Sequence, residues 1–206
     1  MRTKTEGREQ RTENRGLIFV VSGPSGSGKT TLLEKLLRDT ALKKRLVKSI
    51  SFTTRPKRSG ERNKKDYFFI TTRQFKDKLK AKKILEWTKY LGYYYATPKD
   101  FPESQIKKAR HIILCLDFKG ALKIKRLYPK NTVTLFIKPP SLAVLRERIE
   151  RRCSKTNTHE IQQRLKVARE ELVASHNYDY CLLNKNLPQA VKELKGIILR
   201  EIYFKS

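Results

Sequence analysis

Acidic side chains are scarce in this chain: 20 Asp and Glu stand against 48 Lys and Arg, leaving a formal charge of +28 over 206 residues. Such a surplus suits polyanionic partners, and equally an enzyme that holds two phosphorylated ligands or a member of a generally basic proteome. The basic residues run along the whole chain instead of forming one block, which weakens a dedicated nucleic-acid patch. Cysteine is also scarce. Cys115, Cys153 and Cys181 lie far apart, are odd in number and make no C-x-x-C pair. A disulfide framework and a zinc site are thereby excluded, and reduced thiols in the cytoplasm are expected. No apolar run approaches the ~18 residues of a membrane span. The opening residues lack the apolar stretch of a secretory signal, and Glu6, Glu9 and Glu13 argue against a mitochondrial presequence, which is poor in acids. Residues 1–15 read as a flexible polar tail.

What is present is regular. Apolar, strand-like runs recur at 17–21, 46–52, 111–117, 132–137 and 179–183. Helix-like segments lie at 29–38, 119–127, 141–151, 159–175 and 187–204. Alternation of this kind predicts an α/β fold, three layers with a central parallel sheet covered on both faces. Two stretches break the pattern. Residues 53–97, with their β-branched and aromatic residues, Gly60 and Gly92, read as an inserted mixed subdomain. Residues 151–163 are polar and loop-like between two helical patterns, where a closing lid belongs. The chain is thus one domain over 16–206, with its core at 16–52, 98–150 and 164–206.

Residues 23–30 read Gly-Pro-Ser-Gly-Ser-Gly-Lys-Thr, a complete G-x-x-x-x-G-K-[ST] phosphate-binding loop set between a strand-like run and a helix-like stretch. Gly23, Ser25, Gly26, Ser27 and Gly28 let successive backbone N–H groups curl around a phosphate at a helix N-terminus, with Thr31 in the same turn. Lys29 then reaches the β- and γ-phosphates, and the Thr30 hydroxyl is the candidate Mg²⁺ ligand. A second constellation begins at Ser51-Phe52-Thr53-Thr54-Arg55-Pro56-Lys57-Arg58-Ser59-Gly60-Glu61 and leads on to Asp66-Tyr67.

With the phosphate loop, this stretch resembles the guanylate kinases, whose acceptor site carries [ST]-T-R-x-x-R-x-G-E…D-Y. The likeness continues through Leu85-Glu86-Trp87, Gly92-Tyr93-Tyr94-Tyr95-Ala96-Thr97, Asp117-Phe118-Lys119-Gly120, Arg152, Arg164-Leu165 and Leu183-Asn184. The resemblance implies a kinase that moves the γ-phosphoryl of ATP to GMP, and to dGMP, with Mg²⁺, acting as a monomer or homodimer. It assigns Ser51, Arg55, Arg58, Glu61, Tyr67, Glu86, Tyr95, Thr97 and Asp117 to the GMP site in the 53–97 insert and its surroundings. Arg55 and Arg58 are guanidinium forks for the dianionic phosphate, with the Tyr67 and Tyr95 hydroxyls as further donors. Glu86 is the base reader, since a carboxylate accepts both the N1–H and N2–H of guanine; Ser51 and Thr97 would donate to O6. Arg148 and Asn184 match donor-nucleotide positions. Lys29, Arg58, Arg152 and Arg164 would neutralise charge during transfer, the last two from the lid.

Three positions depart from the family pattern. Cys115 stands where an acid usually precedes the Asp117 motif and acts on the Mg²⁺ water shell. The lid's usual Arg-Gly reads Arg152-Cys153, and the Asn-Asp near the donor base reads Asn184-Lys185. Three rival readings stay open. An inactive guanylate-kinase-like interaction module would be expected to lack Lys29 and Thr30, which this chain keeps. A basic nucleic-acid binder finds no aromatic-rich RNA motif or recognition-helix pattern in support. A phosphate-loop kinase for another phosphorylated acceptor is disfavoured by Glu86 with Ser51 and Thr97.

Overall fold

Ile18–Ser22 form β1, and every one of these five residues is buried, as a parallel strand covered on both faces requires. The structure is a computed structural model and describes residues 16–152 and 158–205, the side chains of Arg152 and Lys205 excepted. The polar tail expected at 1–15 and the Cys153 departure lie outside the described residues. After β1 come α1 (Lys29–Leu36), α2 (Thr40–Lys43) and β2 (Leu46–Lys48). Next are β3 (Phe52–Thr53), β4 (Phe68–Phe69), α3 (Thr72–Lys80), β5 (Ile84–Tyr90) and β6 (Tyr93–Pro98). The chain continues through α4 (Asp100–Lys107), β7 (His111–Cys115), α5 (Phe118–Leu127), β8 (Thr132–Lys138) and α6 (Leu142–Arg152). It closes with α7 (Thr158–Val173), a 3-10 turn over Ala174–Asn177, β9 (Tyr180–Leu183) and α8 (Leu187–Lys205).

The large sheet has the order β2-β7-β1-β8-β9, with all its pairs parallel. Its two faces carry separate cores. Phe19 and Val21 pack with Leu32 and Leu36 of α1 and Leu194 and Ile198 of α8. Ile18 and Val20 pack on the other face with Ile106 of α4 and Ala121 and Ile124 of α5. Each such side chain contributes roughly 1.5–3 kcal/mol on burial. With β1 central, the loop that follows it opens between the ends of β7 and β8. Register Val21↔Cys115 sets Cys115 beside that loop.

The second sheet, order β4-β3-β6-β5, occupies 52–98 with α3 on it. The β5–β6 hairpin turns through Leu91 and Gly92, both at positive φ (47° and 85°), the twist that suits a two-residue hairpin. Its register pairs Glu86 with Thr97 and Thr88 with Tyr95.

Three differences from the sequence reading have local causes. The single strand expected at 46–52 is two pieces in different sheets, because the chain crosses from one to the other at 49–51. α3 appears inside the insert, started by a capping box in which Thr71 Oγ1 accepts from Gln74 N (3.1 Å) and Gln74 Oε1 accepts from Thr71 N (2.9 Å). The loop-like stretch at 151–163 is helical wherever it is described. Ile161 of α7 packs against Leu145 and Ile149 of α6, and a Glu160–Arg164 pair at i,i+4 ties the first turns of α7.

One histidine at the sheet edge has a consequence for stability. His111 Nδ1 accepts from Leu17 N at 3.1 Å, which places the ring proton on Nε2. Burial, and secondarily Arg45, holds its pKa below the usual value. The folded state therefore binds this proton less readily than the unfolded one, so stability present above about pH 6.5 is lost as the pH falls through the folded pKa. His111→Asn keeps an acceptor that does not titrate. Scanning calorimetry should find the two proteins equal at pH 7 and the variant melting about 2 °C higher at pH 5, the scale of a sub-kcal/mol effect in a domain of this size.

Candidate active site

The phosphate loop owes its shape to two close approaches. Gly23 (φ 138°) lies so near β8 that a Cβ there would meet the Ile137 carbonyl oxygen at 2.4 Å. Gly28 (φ 92°) ends the loop as the N-cap of α1, and a Cβ there would meet Asn184 Nδ2 at 2.3 Å. That amide is a brace: Asn184 Nδ2 donates to Ser27 O at 2.8 Å, and Arg148 reaches Asn184 O at 3.4 Å. Lys29 leaves α1 and turns back over the loop, its ammonium donating to Gly23 O and, at 2.9 Å, to Pro24 O. Arg164 comes down from α7, donates to Ser25 Oγ at 2.9 Å and is held by Glu160. Ser27 is fully buried and takes part through its backbone.

A cavity of about 670 Å³ runs from this loop to the second sheet. At its far wall the Arg55 guanidinium is fixed from two sides. Arg55 donates through one nitrogen to both Glu61 oxygens (2.8 and 3.0 Å) and through another to Pro56 O at 2.6 Å. The Tyr67 and Phe69 rings stack near it, 5.7 and 5.8 Å from the guanidinium carbon. Glu61 also accepts from Arg58 N at 2.9 Å, so one carboxylate sets the loop that carries both arginines. Arg58, Tyr67, Tyr95 and Ser51 line the same wall. Glu61 itself does not line it; its place is behind Arg55.

Glu86 is 5% exposed and lines the cavity from β5. Gly120 of α5 lets it in, for a Cβ there would lie 2.9 Å from Glu86 Oε2. Thr97, directly across the hairpin, donates its hydroxyl to Glu86 Oε1 at 2.5 Å. Thr97 is fully buried and lies behind the carboxylate, so its observed role is to aim Glu86 and not to face the cavity. Burial pushes the Glu86 carboxyl up to about 7, against the Thr97 hydrogen bond and with help from the Asp117 charge. Asp117 caps α5, Oδ1 accepting from Gly120 N at 2.8 Å, while still lining the cavity.

Period-two geometry puts Thr88 and Tyr90 on the same face of β5 as Glu86, and both line the cavity though the sequence reading passed them over. Burial raises the Tyr90 hydroxyl to about 12. Glu171 was missed as well. It lies seven residues beyond Arg164, two turns along the same face of α7, and burial raises its carboxyl to about 7 despite the pull of Lys29. A buried acid within a long charged helix pattern gives no signal of its own; only its i+7 spacing from Arg164 could have found it. Of the remaining expected residues, Thr30, Thr31 and Arg148 line the cavity, and the Arg152 side chain lies outside the described residues. No three His, Cys, Asp or Glu among the described residues form a group that could enclose a metal ion. The donor set there is sparse: the Thr30 hydroxyl, isolated carboxylates and the Cys115 thiol. It suits a magnesium ion held mainly by phosphate oxygens and water.

The comparisons with known proteins point to one family. The family model described as Guanylate kinase matches residues 15–201. The chain is 38% identical over 189 residues to a guanylate kinase of Wolbachia pipientis, covering 92% of each chain. It is 40% identical over 188 residues to a guanylate kinase of Mycoplasma genitalium, covering 91% of this chain and 77% of that one. Among solved structures it is similar to the guanylate kinase of Anaplasma phagocytophilum, with a TM-score of 0.76 and 30% identity over 91% of this chain and 86% of that one.

Proposed function

The chain belongs to the guanylate kinase family, and from that premise we propose that it transfers the γ-phosphoryl group of ATP to GMP, and to dGMP, giving ADP and the nucleoside diphosphate. The observation that carries the reading is that one cavity joins the phosphate loop to a buried, aimed carboxylate, Glu86. ATP phosphates lie on the loop amides, with Lys29 over them. The GMP phosphate lies between Arg55, Arg58, Tyr67 and Tyr95, and guanine meets Glu86, with Ser51 near O6. The two phosphates then face each other for in-line transfer without a covalent intermediate, and positioning and electrostatics supply most of the rate. Arg58 and Arg164, with Arg152, neutralise the charge that develops. Thr30 is the side chain that would hold Mg²⁺, which would supply positive charge against the ATP phosphates. Closure of the α6–α7 region excludes water and so suppresses ATP hydrolysis. We place the enzyme in the cytoplasm with the nucleotide pools, as a monomer or homodimer and without a nucleic-acid partner.

A coupled assay with GMP, dGMP, AMP, CMP and UMP tests this reading. GMP and dGMP should turn over, and AMP should lag by about three orders of magnitude in kcat/KM, because adenine leaves the Glu86 carboxylate unpaired. Comparable AMP turnover would sink the specificity; no turnover of any nucleotide would point to a binding module.

Glu61 supplies a further check. Glu61→Gln loosens Arg55 and weakens the bond to Arg58 N without removing either cation. Steady-state kinetics should show KM for GMP rising about tenfold with kcat within threefold of wild type, the signature of lost ground-state binding.

A further inference from the structure

Glu171 is 9% exposed, lines the cavity, and has no hydrogen-bond partner for its carboxylate among the described residues. The charged groups acting on it are Lys29 of the phosphate loop, Asp117 at the end of β7, and its neighbour Glu170. Tyr90, Arg58, Tyr95 and Arg164 line the same cavity, and the Tyr90 hydroxyl feels the charges of Glu171, Arg164 and Arg58. Glu171 therefore sits where the phosphate loop and the acceptor-phosphate groups meet.

A carboxylate at that point faces two polyanions. Phosphate oxygens offer it no proton, and like charges a few ångströms apart repel each other at a protein-like dielectric. A donor-bearing cation between them makes the arrangement favourable. Lys29 already spends donors on Gly23 O and Pro24 O. Water on a magnesium ion supplies donors of the required kind, since Mg²⁺ keeps several waters whose protons point outward. Cys115, half-buried on the same cavity, is a thiol and accepts hydrogen bonds weakly.

We propose that Glu171 is the metal-facing carboxylate of this enzyme, a positioning residue that accepts hydrogen bonds from water bound to Mg²⁺ and does so from α7 instead of from β7. The inference rests on the proposed phosphoryl transfer. It also ties the metal to the helix that carries Arg164, so the ion and that arginine are set by one rigid element.

The test reads metal binding, not turnover. Mn²⁺ is titrated into the protein saturated with the β,γ-imido analogue of ATP, and free hexaaquo-Mn²⁺ is followed by electron paramagnetic resonance. Glu171→Gln should weaken Mn²⁺ uptake by the complex about tenfold or more, as loss of an outer-shell carboxylate does. Metal-free GMP binding by calorimetry should stay within threefold. Cys115→Asp in the Glu171→Gln background should recover most of the lost metal affinity. Unchanged Mn²⁺ affinity in Glu171→Gln overturns the proposal, and so does weakened GMP binding with unchanged Mn²⁺ affinity, which would put Glu171 on the ribose. If circular dichroism shows Glu171→Gln unfolded, Glu171→Asp takes its place and should show an intermediate loss; wild-type affinity there is equally adverse. Wild-type protein that binds neither the analogue nor GMP would instead bring down the phosphoryl-transfer reading, and this inference with it.

Discussion

Lys29→Ala should lower kcat for phosphoryl transfer by two or more orders of magnitude while leaving a folded protein. The ammonium is held over the loop by its bonds to Gly23 O and Pro24 O, and on the proposed reading charge on the transferring group grows beside it. A preorganised donor of this kind acts most strongly in the transition state, and its removal costs about 2.7 kcal/mol or more of barrier lowering, equivalent to that hundredfold. The fold should survive because the apolar core next to it is built by Leu32, Leu33 and Leu36, whereas the Lys29 ammonium is bonded to the loop. Rapid-quench measurement of a single turnover, beside a thermal melt, separates the two effects. A folded variant with near-native transfer would make Lys29 a structural side chain and would favour the interaction-module reading.

Glu86→Gln should reduce kcat/KM for GMP by about two orders of magnitude and gain little with AMP. The amide has one acceptor where guanine presents two donors, and its own NH₂ would oppose one of them. A buried polar mismatch is worth several kcal/mol in discrimination. The pH dependence supplies a second readout. Burial holds the Glu86 carboxyl near 7, so the ligand-free protein keeps this proton up to about neutrality. The folded pKa lies above the unfolded one, so the contribution of Glu86 to ligand-free stability is full below about pH 4.5 and is lost as the pH rises through 7. GMP needs the carboxylate. Its affinity, measured by calorimetry without metal, should therefore tighten from pH 6 to pH 8 more steeply in the wild type than in Glu86→Gln, where the GMP phosphate and Glu171 still titrate. Equal pH profiles would remove Glu86 from the base site.

The parallel sheet was legible because its strands are buried on both faces and read as continuous apolar runs, as Ile18–Ser22 and Thr132–Lys138 do. The phosphate loop was legible because glycine at positive φ and a following helix leave a local pattern. The missed elements are those whose cues are weak or shared. α3 has only Phe75 and Leu79 to mark its apolar side, and α2 is four residues long, so the apolar stripe is short in both. α4 carries Pro102 near its start, which reads as a break although the first turn tolerates it. Along the cavity, the residues with a motif around them were expected, whereas Glu171 and Tyr90 depend on which face of an element meets it. Roles proved harder than positions. Glu61 and Thr97 were expected to face the ligand, but they spend their polar atoms on Arg55 and Glu86, a division of labour that only cross-strand register and loop geometry reveal.

The brace between Asn184 and Ser27 joins residues 157 positions apart in the chain. The loop made from the first strand is thus completed by the last strand of the sheet, β9, and roofed by α8. As the polypeptide leaves the ribosome, β1 and its glycines emerge early but have nothing to hold them in their bound-like shape. Nucleotide recognition must arrive late in synthesis, after Asn184 has emerged, and contacts this distant in sequence slow the closing step. A nascent chain halted between β8 and β9 would carry the whole phosphate motif and still lack the amide that closes it. In this protein the motif comes first in time and the site comes last.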